Sequence, residues 1–368
     1  MTDMPPPAPK ETTRFPCPNC GADYRFAPQQ GKLVCDHCGN EEATEQGDRA
    51  TAIAELDFKA ALAEQLPTAE MVETRASTCP NCAAHVVFEG DTHATECPFC
   101  ATPVVVDTGT HRQIKPRAVL PFQLDERVAH DAMNSWLGKL WFAPNGLANY
   151  ARKGRKMNGV YVPYWTYDAD TKSRYTGERG TVYYVTETVM RDGKPEQRQV
   201  QKIRWRPASG RVARWFDDIL VLASRALPKR YTDALQPWDL SNLEPYTPEF
   251  LAGFQAEGYS VELQDGYDEA RAHMDAVIRR DVAFDIGGDR QRIHSISTAV
   301  SDVTFKHILL PVWMAAYKYR GKTYRFVVNG QTGRVQGERP YSAIKIAIAV
   351  VLGLLVAGGI GYIIAQNQ

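Results

Sequence analysis

All eight cysteines of this chain fall into four Cys-x-x-Cys turns, and the turns come in two matched pairs. Cys17-Pro-Asn-Cys20 is followed after fourteen residues by Cys35-Asp-His-Cys38, and Cys79-Pro-Asn-Cys82 is followed after fourteen residues by Cys97-Pro-Phe-Cys100. A shift of 62 positions lays the first pair on the second without a gap and carries Phe26 onto Phe88, the mark of an internal duplication. One such turn offers two thiolates to a single ion, and two turns joined by a short hairpin close a tetrahedral four-sulfur cage around zinc. Iron fits the same cage, and a lone Cys-x-x-Cys is often a redox dithiol, but four equally spaced turns without a βαβ pattern favour zinc. The pattern predicts two small ribbons, residues 15–40 and 77–104, each with one structural Zn2+. Four thiolates leave no open coordination position, so the metal has no catalytic role. His37, His85 and His93 lie within the ribbons and are expected beside the cages rather than in them, because a histidine ligand would strand a thiol.

The charges around these turns bear on what the ribbons touch. Between Cys17 and Cys38 the charges Asp23, Arg25, Lys32 and Asp36 cancel, and between Cys79 and Cys100 there are only Glu89, Asp91 and Glu96. Phosphate binding needs Lys and Arg, so protein contact is the expected use and nucleic acid the disfavoured one. Over all 368 residues, 43 Lys plus Arg balance 43 Asp plus Glu, which again argues against a polyanion-coating protein. With 44% hydrophobic and 23% charged residues the chain has material for a packed core, so global disorder is excluded. Residues 1–14 are rich in Pro and polar residues, have no apolar run of a secretion signal, and are expected to be disordered.

The C-terminal stretch from Ile346 to Ala365 has no charged residue. As a helix it is about 30 Å long, the thickness of a bilayer's hydrocarbon core, which predicts a single-pass transmembrane helix over residues 343–365. Arg325, Arg334, Arg339 and Lys345 precede it and no Lys or Arg follows, so the large N-terminal part is expected in the cytoplasm, as in a tail-anchored protein. Gly353, Ala357 and Gly361 make a small-residue row that could pair two such helices into a homo-oligomer.

Between ribbons and span the patterns alternate. Residues 41–76 are rich in Ala, Glu and Gln, with Leu56, Phe58, Leu62 and Leu66 on one helical face before Pro67, predicting a helical linker. The body, 115–340, begins with a helix over 126–153, with a stripe of Val128, Met133, Trp136, Leu137 and Leu140 broken at Pro144. Strand patterns follow in GVYVPYWTYDAD, TVYYVTETV and QVQKIRWRP, a helical pattern over 228–280 is clearest from Tyr267 to Arg280, and further strands run through RIHSISTAVSDVTF, ILLPVWMAAYKY and TYRFVVNG. The predicted fold is α+β and multidomain: two ribbons, a β-rich body with inserted helices, and one membrane helix. A shared Pro-x-Trp pattern in GVYVPYWTYDA and ILLPVWMAAYKY suggests a distant repeat of 155–225 in 290–336.

No catalytic residue is assigned, and the chain is read as a non-enzyme. Gly321-Lys322-Thr323 lacks the upstream glycine of a phosphate-binding loop and reads as a hairpin turn, and Gly287-Gly288-Asp289 lacks the phosphate fingerprint. His294 and Ser295 adjoin on a strand and so point to opposite faces. One patch stands out for anions: Arg198, Lys202, Arg204, Arg206, Arg211 and Arg214, free of acids from Gln197 to Phe216, make a possible contact with an anionic surface, either a membrane leaflet or nucleic acid, or else a solvated outer face. Arg152, Lys153, Arg155 and Lys156 repeat the ambiguity.

The paired CPNC-type turns, LPFQL at 120–124, the helix with Trp136 and Trp141, GVYVPYWTYDA, LLPVW and VNGQTGRV together resemble bacterial double zinc-ribbon proteins with a C-terminal transmembrane span. Members of that group are called primosomal protein N-prime (replication factor Y)-like or TFIIB-type zinc ribbon-containing. This chain has neither a phosphate-binding loop nor an acidic helicase box. The resemblance implies residence in the bacterial inner membrane and a place in membrane-stress or membrane-organising assemblies that recruit scaffold proteins of the phage-shock or stomatin-like type. The expectation is therefore a membrane-anchored adaptor presenting the ribbons as a cytoplasmic protein-binding head; the alternative is a membrane-tethered nucleic-acid-binding protein without helicase activity.

Overall fold

The computed structural model describes residues 15–44, 53–87, 94–97, 99, 102–105, 110–144, 157–191, 194–319 and 322–366. The expected disorder of 1–14, the predicted ligand Cys100, His93 and the cluster at Arg152, Lys153, Arg155 and Lys156 lie outside the described residues.

In chain order, β1 (Arg25–Ala27), β2 (Lys32–Val34) and β3 (Glu41–Ala43) form a small antiparallel sheet. Then come β4 (Leu56–Asp57), the short helix α1 (Phe58–Leu62), β5 (Met71–Thr78), β6 (His85–Val87), β7 (Ala94–Glu96), β8 (Pro103–Val105), β9 (Thr110–Ile114) and β10 (Ala118–Val119). The body continues with α2 (Glu126–Gly138), β11 (Asn158–Arg191), β12 (Lys194–Leu222), α3 (Lys229–Asp233), β13 (Glu244–Pro245), β14 (Gln255–Gly258), α4 (Leu263–Ile286), β15 (Arg290–Tyr319), β16 (Lys322–Asn329), β17 (Val335–Gly337) and the apolar helix α5 (Ala343–Gln366).

The linker differs from its expected form. Residues 45–52 lie outside the described residues; among the described residues of 41–76 five are α-helical, and Met71–Thr78 pairs as a strand with β6 on one side and β9 on the other, strand pairing overriding the expected helix there. Phe58 still uses its predicted face, its ring 4.5 Å from that of Tyr267, whereas Leu62 is 46% exposed. The strands also merge: the first two predicted segments are one 34-residue strand, β11, and the last long pair is one 30-residue strand, β15. The helix after 126 stops at Gly138; its predicted extension over 145–153 lies outside the described residues.

β11 is the spine. It pairs antiparallel with β15 from Asn158↔Met314 to Gly180↔Arg290 and antiparallel with β12 from Tyr164↔Leu222 to Arg191↔Lys194. Helix α4 lies along one face of these strands, burying Leu263, Gly266, Ala270, Met274, Ile278, Val282 and Ile286 at spacings of three and four against Trp165, Tyr167, Tyr175 and Phe305. Gly266 permits the close approach, since a Cβ there would sit 2.5 Å from the Tyr167 hydroxyl.

The two Pro-x-Trp segments face one another: Tyr161 pairs with Pro311 and Pro163 with Leu309. The contacts around them match. Trp313 Nε1 donates to Leu124 O at 2.9 Å, two residues before α2, and Trp165 Nε1 donates to Val261 O at 2.9 Å, two residues before α4. The Trp313 ring lies 4.9 Å from Phe122 and the Trp165 ring 4.9 Å from Tyr259. β10 runs parallel beside β15 at Ile308, and β14 runs parallel beside β11 at Val160. One constant shift carries Ala118, Phe122, Leu124 and Glu126 onto Gln255, Tyr259, Val261 and Leu263. Each strand–helix–hairpin unit thus fastens the other's helix entry with its tryptophan.

Asp168 marks a bend in the spine, where the register slips against both neighbours and Asp218 and Asp302 take positive φ. Lys306, nearly buried, sits here with Nζ 2.9 Å from Asp218, 3.0 Å from Glu55 and 3.9 Å from Asp168, tying the β4 segment to the body; Thr304 also bonds Glu55. Burial, with Glu55 adding to it, pushes the Asp168 carboxyl up to about 7. A raised carboxyl favours folding fully below its unfolded value near 4 and loses that contribution as pH rises through 7. Asp168→Asn, which stays neutral, is therefore expected to melt closer to or above wild type at pH 8 than at pH 5; a difference in melting temperature unchanged between the two pH values contradicts this assignment.

Candidate metal centres

Each Cys-x-x-Cys turn closes in the same way. The amide of Cys17 donates to Ala22 O, that of Cys35 to Asn40 O, that of Cys79 to Ala84 O and that of Cys97 to Thr102 O, all between 2.7 and 2.9 Å. In three of the turns the first cysteine's carbonyl accepts from the residue four positions on, which has positive φ: Gly21, Gly39 and Ala83. Glycine adopts that conformation freely and alanine does not.

The sulfurs of Cys17, Cys20, Cys35 and Cys38 all lie within 4.8 Å of one another, as do those of Cys79, Cys82 and Cys97. Cys17 and Cys38 are 3.6 Å apart, and Cys20 and Cys35, like Cys82 and Cys97, are 3.5 Å apart. That is too long for a disulfide and close to the roughly 3.8 Å edge of a tetrahedron with Zn–S bonds of about 2.3 Å. All seven are free thiols, so donor type and spacing both suit zinc. Among the described residues no histidine joins either cluster. Asn40 Nδ2 reaches both Cys17 Sγ at 3.8 Å and the Tyr24 hydroxyl at 2.5 Å, fixing the outer face of the first cage.

The clusters are built into the body. Cys17, Tyr24, Phe26, Leu33 and Cys35 share one core with Phe122, Met133, Phe254 and Trp313; the Phe26 amide donates to Ala252 O at 3.0 Å, and its ring meets Phe250 at 5.2 Å. Cys79, Ala84, Val86, Cys97 and Phe99 share a second core with Leu120, Val160, Tyr164 and Ile308, and β6 pairs with β14 through Glu257↔Val86. Among the described residues, the apolar sides of both cysteine units are thus consumed internally. Spacing revealed the ligands but carried no sign of this docking.

The basic residues divide. Strand alternation without a bulge puts Arg198, Lys202, Arg204, Arg206 and Arg214 on the α4 side of β12 and Arg211 on the other, beside Arg174. Two are neutralised: Lys202 Nζ lies 2.5 Å from Glu187, and Arg214 pairs with Asp281 of α4 at 2.6 Å. Arg204 lies over the Tyr183 ring at 5.2 Å. Sequence reasoning missed the Lys306 cluster; its signal was a lysine inside the largely apolar run VTFKHILLPV.

Residues 11–43 match the family described as the zinc finger of RNA-polymerase I-specific TFIIB, Rrn7. An uncharacterized protein of Bacillus subtilis (strain 168), YdjG, is 25% identical over 334 residues, covering 90% of this chain and 92% of the relative. No solved structure matches the chain.

Purified protein is expected to carry two zinc ions, and stripping them should also collapse near-ultraviolet signals of the body, because ribbon residues are core residues. A body signal that survives metal removal would contradict the shared cores. Ala83→Gly should raise thermal stability by roughly 1 kcal/mol or less by relieving the left-handed backbone; a loss of stability would show that this conformation is not strained.

Proposed function

We propose that this protein is a non-enzymatic adaptor held in the bacterial inner membrane by α5, with its body in the cytoplasm, and that the partner-binding element is the β11–β12 arm rather than the zinc ribbons. Cys100 completes the second cage in this reading. The observation that carries it is the division of surface. The ribbons spend their apolar residues in the body's cores, whereas β15 stops opposite Gly180 and leaves Thr181–Arg191 and Lys194–Arg204 paired only with each other.

The arm has two unlike faces. With its base, one carries Arg179, Lys202, Arg204 and Arg206; the other carries Val182, Tyr184, Met190 and Ile203, with Trp205 at the base and Tyr184 64% and Met190 70% exposed. Helix α4, about 36 Å long, separates the Tyr167 end of the sheet from the arm's base, and eleven residues per strand add about another 36 Å. That reach suits capture of a protein at a distance from the bilayer and weighs against leaflet contact by the basic stripe. A membrane-stress or membrane-organising complex is the setting proposed, with Gly353 and Ala357, exposed along α5, available for pairing two copies.

A second reading, nucleic-acid binding, draws on the Arg179, Arg204 and Arg206 face with Tyr183 among them. Two experiments separate the readings. A photo-reactive side chain in place of Tyr184 is expected to trap a discrete protein in cells, with trapping abolished by Ile203→Glu while membrane residence and two-zinc content persist; trapping indifferent to Ile203→Glu places the partner elsewhere. Detergent-purified full-length protein is expected not to bind labelled DNA or RNA at low or physiological salt, and submicromolar binding that weakens steeply with salt would replace the adaptor reading.

A further inference from the structure

Helix α5 contains a window, Ala343–Ile360, with mean hydropathy 2.5 and no part of it buried by the protein. Its first turn is not detached from the body. Ser342, just before the helix, donates its amide to Phe142 O at 2.8 Å, and Lys345 Nζ donates to Ala143 O at 2.8 Å. Both acceptors belong to the tight turn that follows α2, in which the Trp141 amide bonds Lys139 O and the Ala143 amide bonds Leu140 O.

That turn has a divided character. Ala143 is buried and Leu140 packs against the core shared with the first ribbon, while Trp141 is 78% and Phe142 41% exposed. Tyr341, also largely exposed, stands beside them at the foot of α5, with the Arg339 guanidinium over its ring at 5.3 Å and Arg339 Nε donating to its hydroxyl at 3.3 Å. Large aromatics held out into water on a rigid turn cost free energy unless something covers them. At the mouth of a membrane span the covering phase is the bilayer interface, where Trp and Tyr rings are enriched because one side is apolar and the other wet. Lys139 in the turn and Arg339 and Lys345 flanking the start of α5 are cations close in sequence to these rings.

We infer that Trp141, Phe142 and Tyr341 form an interfacial collar that enters the headgroup region of the leaflet through which α5 passes, and so fixes the body's orientation on the membrane. The inference rests on the reading of α5 as a membrane span, and it adds a second, peripheral contact to that span. A hinge at the span's first turn would let the body tumble; two hydrogen bonds to the Phe142–Ala143 backbone together with inserted rings hold it, and with it the direction in which the β11–β12 arm points.

The test uses the full chain reconstituted in phosphatidylcholine–phosphatidylglycerol vesicles whose acyl chains are brominated at shallow or deep positions. Trp141 is one of seven tryptophans, and the other six belong to α2, the body strands and their loops. Shallow bromines are expected to quench part of the tryptophan emission more than deep ones, and Trp141→Phe is expected to remove most of that quenching with the far-ultraviolet spectrum unchanged. Phe142→Ala, which leaves the reporter in place, should reduce shallow quenching by partial withdrawal of the turn. Alkaline carbonate separates the two levels. Extraction of unmodified protein overturns span and collar together, whereas retention with quenching indifferent to Trp141→Phe overturns the collar alone.

Discussion

Everything in this molecule hangs on the uninterrupted backbone pairing of β11. A strand of 34 residues, flanked by β15 over its first part and by β12 over most of its length, has peptide partners on both edges from Tyr164 to Gly180 and leaves both faces for side chains. One face takes α4, and the strand's start separates the two cores into which the cysteine units dock. Where β15 stops, the same pairing continues as a two-stranded arm. A ribbon of that kind is marginal alone and here grows from a sheet already ordered beneath it. The register slips at Asp168 bend the spine at the one place where a buried lysine gathers three carboxylates, so the bend carries its own electrostatic stitch.

The zinc cages are best understood against that spine. A ribbon of this size cannot bury enough surface to fold unaided, and its metal supplies roughly 10 to 16 kcal/mol. Because Phe26 and Leu33, or Val86 and Phe99, are counted among core residues of the body, metal binding is linked to the packing of the whole chain rather than to two pendant modules. The duplication of the cysteine units is matched by paired contacts in the body, where Trp165 and Trp313 each hold the entry of the other unit's helix. Such reciprocal fastening makes the two units mutually dependent: neither helix start has its indole donor without the other's strand.

These facts redirect attention from the ribbons to what they leave uncovered. The exposed aromatic turn at the foot of α5 and the two-faced arm lie at opposite ends of the sheet, one beside the apolar helix and the other beyond the C-terminal end of α4. In the proposed reading, a body held at one end and extended at the other acts as a spacer between a bilayer and whatever meets the arm.

The sequence by itself determined the features set by local chemistry: cysteine spacing picked out the thiols that gather in two clusters suited to zinc, twenty uncharged residues specified α5, and the Pro-x-Trp blocks marked the strands that pair with one another. It did not foresee the strand Met71–Thr78, for which β6 and β9 offer edges, and it split β11 at polar residues that alternate between a buried and a solvent face and β15 at Lys306 and His307, which are buried. Only the tertiary structure decided that the ribbons are core material, that Arg211 parts company with the other basic residues, and that Lys306 meets Glu55 across 251 positions. The reason is physical: ligand spacing and hydropathy act over a few residues, whereas docking, strand parity and buried charge pairing depend on which distant surfaces the long strand brings into contact.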